Sequence, residues 1–181
     1  LLSGDGNKYD STGGYYTTWG LPYPRGRGEI LKGQYDNDQF IAAVSGGASM
    51  FKAEFFKDVG LYDEDFFAYY EDVDLGLRGQ LRGWSSKFVP KAKVFHATGS
   101  TSSRVPGFTT YQTLKNLPWI IIKNVPLRHI FSISIRFKLA YFGFVLSAIR
   151  RGQIGVTLKG VLVSTVYVPK KHWQRYPIQN N

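Results

Sequence analysis

The chain has 181 residues, no cysteine and a formal net charge of +10. That length is enough for a domain with a sizeable core, and a hydrophobic content of 43 % excludes a disordered chain. The missing thiols exclude a disulfide framework, a thiolate metal site and a Cys nucleophile, and they fit a reducing compartment. The opening LLSGDGNKYD has neither a basic start nor a long apolar run, so no signal peptide is expected in it.

Residues 1–38 are rich in Gly, Tyr, Asp and Asn. Turn signals recur at Gly4-Asp5-Gly6, Gly13-Gly14, Pro22 to Pro24 and Gly26-Arg27-Gly28, which reads as a loop-rich segment with short strands. FIAAVSGGASMF, from Phe40 to Phe51, reads as a strand entering a small-residue turn. Lys52–Val59 is a short helix closed by Gly60 at its C′ position. Residues 61–69 are an aromatic and acidic loop, followed by a helix over about 70–82 with Val73, Leu75, Leu77 and Leu81 as apolar residues. Trp84–Pro90 and Lys93–Phe95 are short strands, and HATGSTSSR (96–104) is a polar loop.

After Val105 the character changes. Residues 1–104 hold 12 Lys/Arg and all 13 acids; residues 105–181 hold 11 Lys/Arg and no acid. Such asymmetry implies an anionic partner: a membrane surface, a phosphate-bearing substrate or a nucleic acid. Helices are expected over 109–123, over 127–150 behind Pro126, and over about 153–167, with PKKHWQRYPIQNN as a tail. The long helix contains LAYFGFVLSAI, an apolar core that is too short to span a bilayer but is flanked by Arg136, Lys138, Arg150 and Arg151. Basic, amphipathic and aromatic, it reads as a helix lying in a membrane interface. The rival is a helical subdomain with a solvated basic face. Nucleic acid is not expected, because the basic residues are interleaved with aliphatic runs and no nucleic-acid-binding signature occurs.

The run LYDEDFFAYYEDVDLGLR, residues 61–78, concentrates acids among Phe and Tyr. Acids at a helix start are ordinarily capping residues. The run fails as a calcium loop: counted from Asp63 its sixth position is Ala68 rather than Gly, and counted from Asp72 it is Leu77. No phosphate-binding Gly-Lys-Ser/Thr loop and no nucleophile elbow occur. What remains is Glu71-Asp72 at a helix start, with His96 about 24 residues later in a polar loop. A carboxylate over a hydroxyl can act as a general base, and an imidazole can ligate a metal. A lone His at a strand end is more often only structural. Asp74 and Arg78, four residues apart on one helix, read as a structural pair.

The order SGGASMF, then FFKDVGLYDEDFFAYYEDVDLGLRGQLRGW, then HATGSTSS resembles the C-terminal half of a family 2 glycosyltransferase of the rhamnosyltransferase-like kind. RGQIGVTLKG, residues 151–160, is similar to the membrane-associated helices of those enzymes. The resemblance covers roughly residues 40–175. It implies an α/β fold: the acceptor-side half of a GT-A domain over 1–104, followed by a basic amphipathic helical region over 105–181. It implies an inverting transfer of a sugar, rhamnose among the candidates, from a nucleotide-sugar to a saccharide or lipid-linked acceptor in polysaccharide biosynthesis. Asp72 would be the catalytic base with Glu71 supporting it. Gly46, Gly47, Ala48 and Tyr70 would line the substrate pocket, and His96 would ligate Mg²⁺ or Mn²⁺. The expected location is cytoplasmic, peripheral at the inner face of the cell membrane. The family's nucleotide-binding half and its Asp-x-Asp metal motif are not found, and Asp36-Asn37-Asp38 lies too close to the SGG turn to serve. The chain taken alone is therefore expected to be inactive. The alternative is a non-catalytic membrane- or polyanion-binding module.

Overall fold

The computed structural model describes residues 1–37, 39–97, 99–100 and 102–179. Asp38, Thr98 and Thr101 lie outside it, and with them one acid of Asp36-Asn37-Asp38 and two threonines of the polar loop. The chain mixes helix and strand and divides into two compact units. The first comprises Leu1–Tyr16, Pro22–Tyr62 and Asp72–Ser100; the second comprises Thr17–Leu21, Asp63–Glu71 and Thr101–Asn181.

The first unit is built from short strands in pairs. β1 (Leu2–Ser3) runs parallel to β6 (Phe95–His96), β2 (Gly14–Tyr16) antiparallel to β3 (Pro22–Pro24), and β4 (Gln39–Ile41) antiparallel to β5 (Ser86–Phe88). The strand expected from Phe40 onward is thus confined to its first residues, and beyond Ala43 the chain bends into a turn. Gly13, at φ 117°, lies so close to Ile41 that a Cβ would sit 2.5 Å from Cγ2. Gly14 then exchanges backbone hydrogen bonds with Ala42 and Ala43. Helix α1 (Ala53–Val59) ends at Gly60, whose φ of 83° suits a residue without a side chain.

Helix α2 (Glu71–Leu81) lies close to this framework because its inner face is small. A Cβ on Gly76 would meet Ala43 Cβ at 2.7 Å, and one on Gly79 would meet the Phe55 ring at 2.6 Å. Asp74 and Arg78 form the expected i,i+4 pair at 2.9 Å, both buried, and Arg78 also donates to the Val59 and Leu61 carbonyls. The pair therefore ties α2 to the end of α1.

The second unit is helical: α3 (Phe108–Asn124), α4 (Leu127–Arg150), α5 (Ile154–Val166) and α6 (Val168–Gln179). Its core comprises Phe66, Leu114, Leu117, Trp119, Ile120 and Ile121. Pro118 interrupts the ladder of α3 and frees the Leu114 carbonyl; the Tyr141 hydroxyl of α4 donates to that oxygen at 2.7 Å. Gly160 lets α5 approach α3, since a Cβ there would sit 3.1 Å from the Tyr111 carbonyl oxygen.

Two expectations change here. The closing segment is not a tail but helix α6. Pro169 falls in its first turn, where a missing N–H costs little. Arg175 and Gln179 of α6 donate to the Ile122, Lys123 and Val125 carbonyls at the end of α3. Secondly, α4 is a continuous helix of 24 residues, long and apolar enough to cross a membrane by length and composition. Counting only its 11-residue apolar core understated it. Just 6 % of its most apolar window is buried, and Leu127, Phe131, Ile135, Leu139 and Phe142 are all exposed.

Candidate functional site

The first unit gathers Gly46, Gly47, Ala48, Asp72 and His96. β4 and the adjoining Ala42–Ala43 bridge deliver the chain into an open turn, closed by the Ala48 N–H on the Ser45 carbonyl at 3.2 Å. Gly46, Gly47 and Ala48 are exposed. The close packing of Gly76 on Ala43 brings the start of α2 to this turn. There the Gly46 N–H donates to Asp72 Oδ2 at 2.8 Å, while the Val73 N–H donates to Oδ1 at 2.8 Å.

Asp72 keeps part of its surface in solvent, yet its carboxyl is shifted above the ordinary Asp range. Burial is the dominant cause; the Gly46 and Val73 N–H groups and the charge of Arg27 oppose it without cancelling it. A carboxylate with a raised pKa is a stronger proton acceptor than a solvated one, which suits a general base.

The neighbouring residue reaches the second group. A Cβ on Gly47 would lie 3.6 Å from His96 Nε2, and 3.2 Å from Leu1 Cδ1, so the turn passes tightly over the imidazole. On its other nitrogen, His96 Nδ1 donates to Asp10 Oδ2 at 2.8 Å. Asp10 is buried (6 %) and also receives Arg27, through Nη2 on Oδ1 at 3.3 Å and through Nε on its carbonyl at 3.2 Å. Adjacent residues of one turn thus serve the two candidates: the Gly46 N–H bonds Asp72, and a side chain at Gly47 would meet the carboxylate-oriented histidine. Asp10 and Arg27 were missed from sequence. The only signal was that Asp10 is one of few acids in a loop-rich segment, and Arg27 sits between two turn glycines.

For a divalent cation, the Asp10–His96 arrangement is the one that fixes a ligating imidazole: the carboxylate holds Nδ1–H and so sets the tautomer that presents Nε2 as a ligand. Among the described residues no group of three or more His, Asp or Glu could hold an ion by itself. The His96 imidazole is the group here that could ligate an ion through Nε2.

Tyr70 and Glu71 belong to the second unit, where both are half-buried; Tyr70 precedes α2 and Glu71 opens it. The acids just before them are used structurally. Lys123 and Lys171 both bond Asp63 Oδ2 at 2.7 Å, and Lys171 and Lys170 each reach Asp65 Oδ2 at 2.7 Å. Lys171 is fully buried, with its ammonium 4.8 Å from the Trp119 ring centroid. Burial alone would push the Asp63 carboxyl up, but Lys123 and Lys171 outweigh it and hold it down at about 2.

Compared with curated proteins, the chain is similar to N-acetylglucosaminyl-diphospho-decaprenol L-rhamnosyltransferase of Mycobacterium tuberculosis, from strain CDC 1551 / Oshkosh and from strain ATCC 25618 / H37Rv. Each is 33 % identical over 116 residues, a match that takes in 56 % of this chain. The chain spans 37 % of the length of these relatives. No family model matches the chain, and no solved structure matches it.

Proposed function

We propose that this chain is the acceptor-side part of an inverting glycosyltransferase that moves a sugar, rhamnose foremost, from a nucleotide-sugar to a lipid-linked saccharide. The observation that carries the reading is the Asp72 carboxylate, raised in pKa and seated on the N–H of an exposed glycine turn. The similarity to rhamnosyltransferases whose named acceptor is a diphospho-decaprenol saccharide supports it.

In this reading Asp72 accepts the proton of an acceptor hydroxyl as that oxygen attacks the anomeric carbon and the nucleoside diphosphate leaves. Gly46, Gly47 and Ala48 leave room for the sugar rings, and Tyr70 and Glu71 contact the acceptor. Mg²⁺ or Mn²⁺, held in part by His96, would supply charge neutralisation for the diphosphate. Asp10 orients the imidazole, and Arg27 adds positive charge beside both carboxylates.

The exposed apolar residues of α4, with Ile154, Leu158 and Leu162 of α5, would lie at the membrane that carries the acceptor. Arg128, Arg136, Lys138, Arg150 and Arg151 are exposed around them and suit an anionic leaflet. The cytoplasmic face is the proposed side, because the donor is a soluble nucleotide-sugar.

The deciding experiment uses the full-length natural protein with radiolabelled nucleotide-rhamnose and a polyprenyl-diphosphate-linked N-acetylglucosamine. Transfer with inverted anomeric configuration is expected. Asp72→Asn should lower turnover by about 10²–10⁴, the usual worth of a general base, while leaving the thermal melt in place. Near-normal transfer by that variant would remove Asp72 from the chemistry.

A further inference from the structure

The least ordinary backbone in the chain lies directly before Glu71. Among the described residues, Phe67, Tyr69 and Tyr70 are the only non-glycines with positive φ, at 62°, 66° and 71°. At Phe67 ψ is −61°, and the Ala68 N–H bonds the Phe66 carbonyl at 2.7 Å, which makes a γ-turn of the rare, strained hand. Phe67 is 77 % exposed, so burial of its own side chain does not explain the conformation. Strain of this kind persists only where the surroundings over-determine it, and it collects at working sites.

The Tyr69 hydroxyl bonds Ser102 at 2.8 Å and the Phe67 ring meets Phe108, but the backbone carbonyls of the loop are held by two neighbouring residues of α3. Asn116 is fully buried, and its Nδ2 donates to the carbonyls of Phe66 (3.1 Å), Ala68 (2.9 Å) and Tyr69 (2.8 Å). Lys115 Nζ donates to the carbonyls of Asp65 (2.9 Å) and Phe66 (3.2 Å). The amide can face only one way, because a flipped Asn116 would aim Oδ1 at three carbonyl oxygens. In the orientation it takes, Oδ1 is buried with no hydrogen-bond partner among the described residues. A buried acceptor left unsatisfied is a standing cost that an aliphatic side chain would avoid. The asparagine is explained by what its nitrogen holds.

We propose that Asn116 and Lys115 are positioning residues: they clamp residues 65–69 so that Tyr70 and Glu71 enter α2 in the geometry acceptor binding requires. This rests on the transferase reading of the site. It adds to that reading two residues on a helix of the basic region, remote in sequence from the motif they serve.

The test uses the full-length protein and reads both backbone order and kinetics. Asn116→Ala should speed hydrogen exchange of amides 67–71 by about tenfold or more, without matching loss of protection in the rest of α3. It should lower kcat by roughly 10–100-fold, the scale of an ångström-sized misplacement, with the donor KM within about twofold of wild type. Adding Phe67→Gly, which takes positive φ without strain, should recover much of both losses. A residue serving only general packing would not be rescued by relieving backbone strain at the exposed Phe67. Unchanged exchange at 67–71 in Asn116→Ala, or a turnover loss that Phe67→Gly leaves untouched, would overturn the clamp. If Asn116→Ala does not fold, Lys115→Met removes two of the five bonds and is judged on the same two readouts. The wild-type protein is assayed alongside: if it transfers no sugar to the polyprenyl-diphosphate-linked acceptor, the transferase reading fails, and the exchange data still decide the clamp.

Discussion

At the scale of single residues, Asp72 is set by two opposing influences. Packing around its carboxyl favours the proton; the Gly46 and Val73 N–H groups and Arg27 favour the charge, and packing dominates. The deprotonated form is the one that can accept a proton, so turnover should rise with pH through the Asp72 pKa. Because that pKa is raised, the acid limb of the pH–kcat profile should fall above the value of about 4 usual for Asp. Asp72→Asn should flatten the limb as well as lower the rate. A limb unchanged in the variant would assign it to another group. His96 is a different case: Asp10 Oδ2 orients its ring through Nδ1, and the turn at Gly47 runs over Nε2, where a Cβ would lie 3.6 Å away.

At the scale of elements, the segment read as a tail is the helix that closes the second unit. Lys171 of α6 is buried between Asp63 and Asp65, and Arg175 caps the carbonyls at the end of α3. Favourable charge at a helix C-terminus adds to this. Lys171→Met removes the cation that Asp63 and Asp65 share but leaves Lys123 on Asp63 and Lys170 on Asp65, so it should cost about 1–3 kcal/mol and lower the Tm by several degrees. The pH dependence has a definite sign. The folded pKa of Asp63 is held at about 2, below its unfolded value of about 3.9. Its contribution is therefore complete above pH 4 and lost as pH falls from there through about 2. Integrated over that interval it amounts to something on the order of 2 kcal/mol. Chemical denaturation of Asp63→Asn should show stability with a weaker dependence on pH between about 4 and 2 than wild type shows. Equal slopes would place the acid sensitivity elsewhere.

At the scale of the whole molecule, the charge asymmetry is partly internal. Lys115, Lys123, Lys170, Lys171 and Arg175 all bond acids or carbonyls within the second unit. Arg128, Arg136, Lys138, Arg150, Arg151 and Lys159 remain exposed, beside the uncovered apolar residues of α4 and α5. Each basic residue near an anionic surface is worth about 1 kcal/mol, on top of apolar burial. The protein should therefore co-sediment with anionic vesicles, more weakly with zwitterionic ones, and less as salt rises. Phe131→Glu with Leu139→Glu should weaken that binding without lowering the Tm, because both side chains are already exposed. Carbonate extraction separates the geometries: a helix lying in the interface is released, whereas a spanning one stays with the lipid. Absence of binding to anionic vesicles at low salt would overturn the membrane assignment.

Local chemistry was enough to read much of this protein from its residues. Gly60 stops α1, Pro126 precedes α4, and apolar periodicity locates α2 to α5 within a few residues, because a helix is specified by neighbours three and four positions apart. Asp72, Glu71 and His96 stood out by motif, and the Asp74–Arg78 pair by its i,i+4 spacing. The surroundings of those groups come from contacts across long stretches of chain, which leave no periodic trace. Asp10 and His96 are 86 positions apart, Asp63 and Lys171 are 108, and Asn116 reaches loop carbonyls nearly 50 residues back. Helix α6 was hidden because two prolines and several cations look like a tail until Asp63 and Asp65 receive the lysines. Which acids hold the fold and which remain at an open turn is likewise a matter of tertiary placement: all lie within one short run of sequence, and only the fold buries some against lysines and leaves Asp72 beside Gly46.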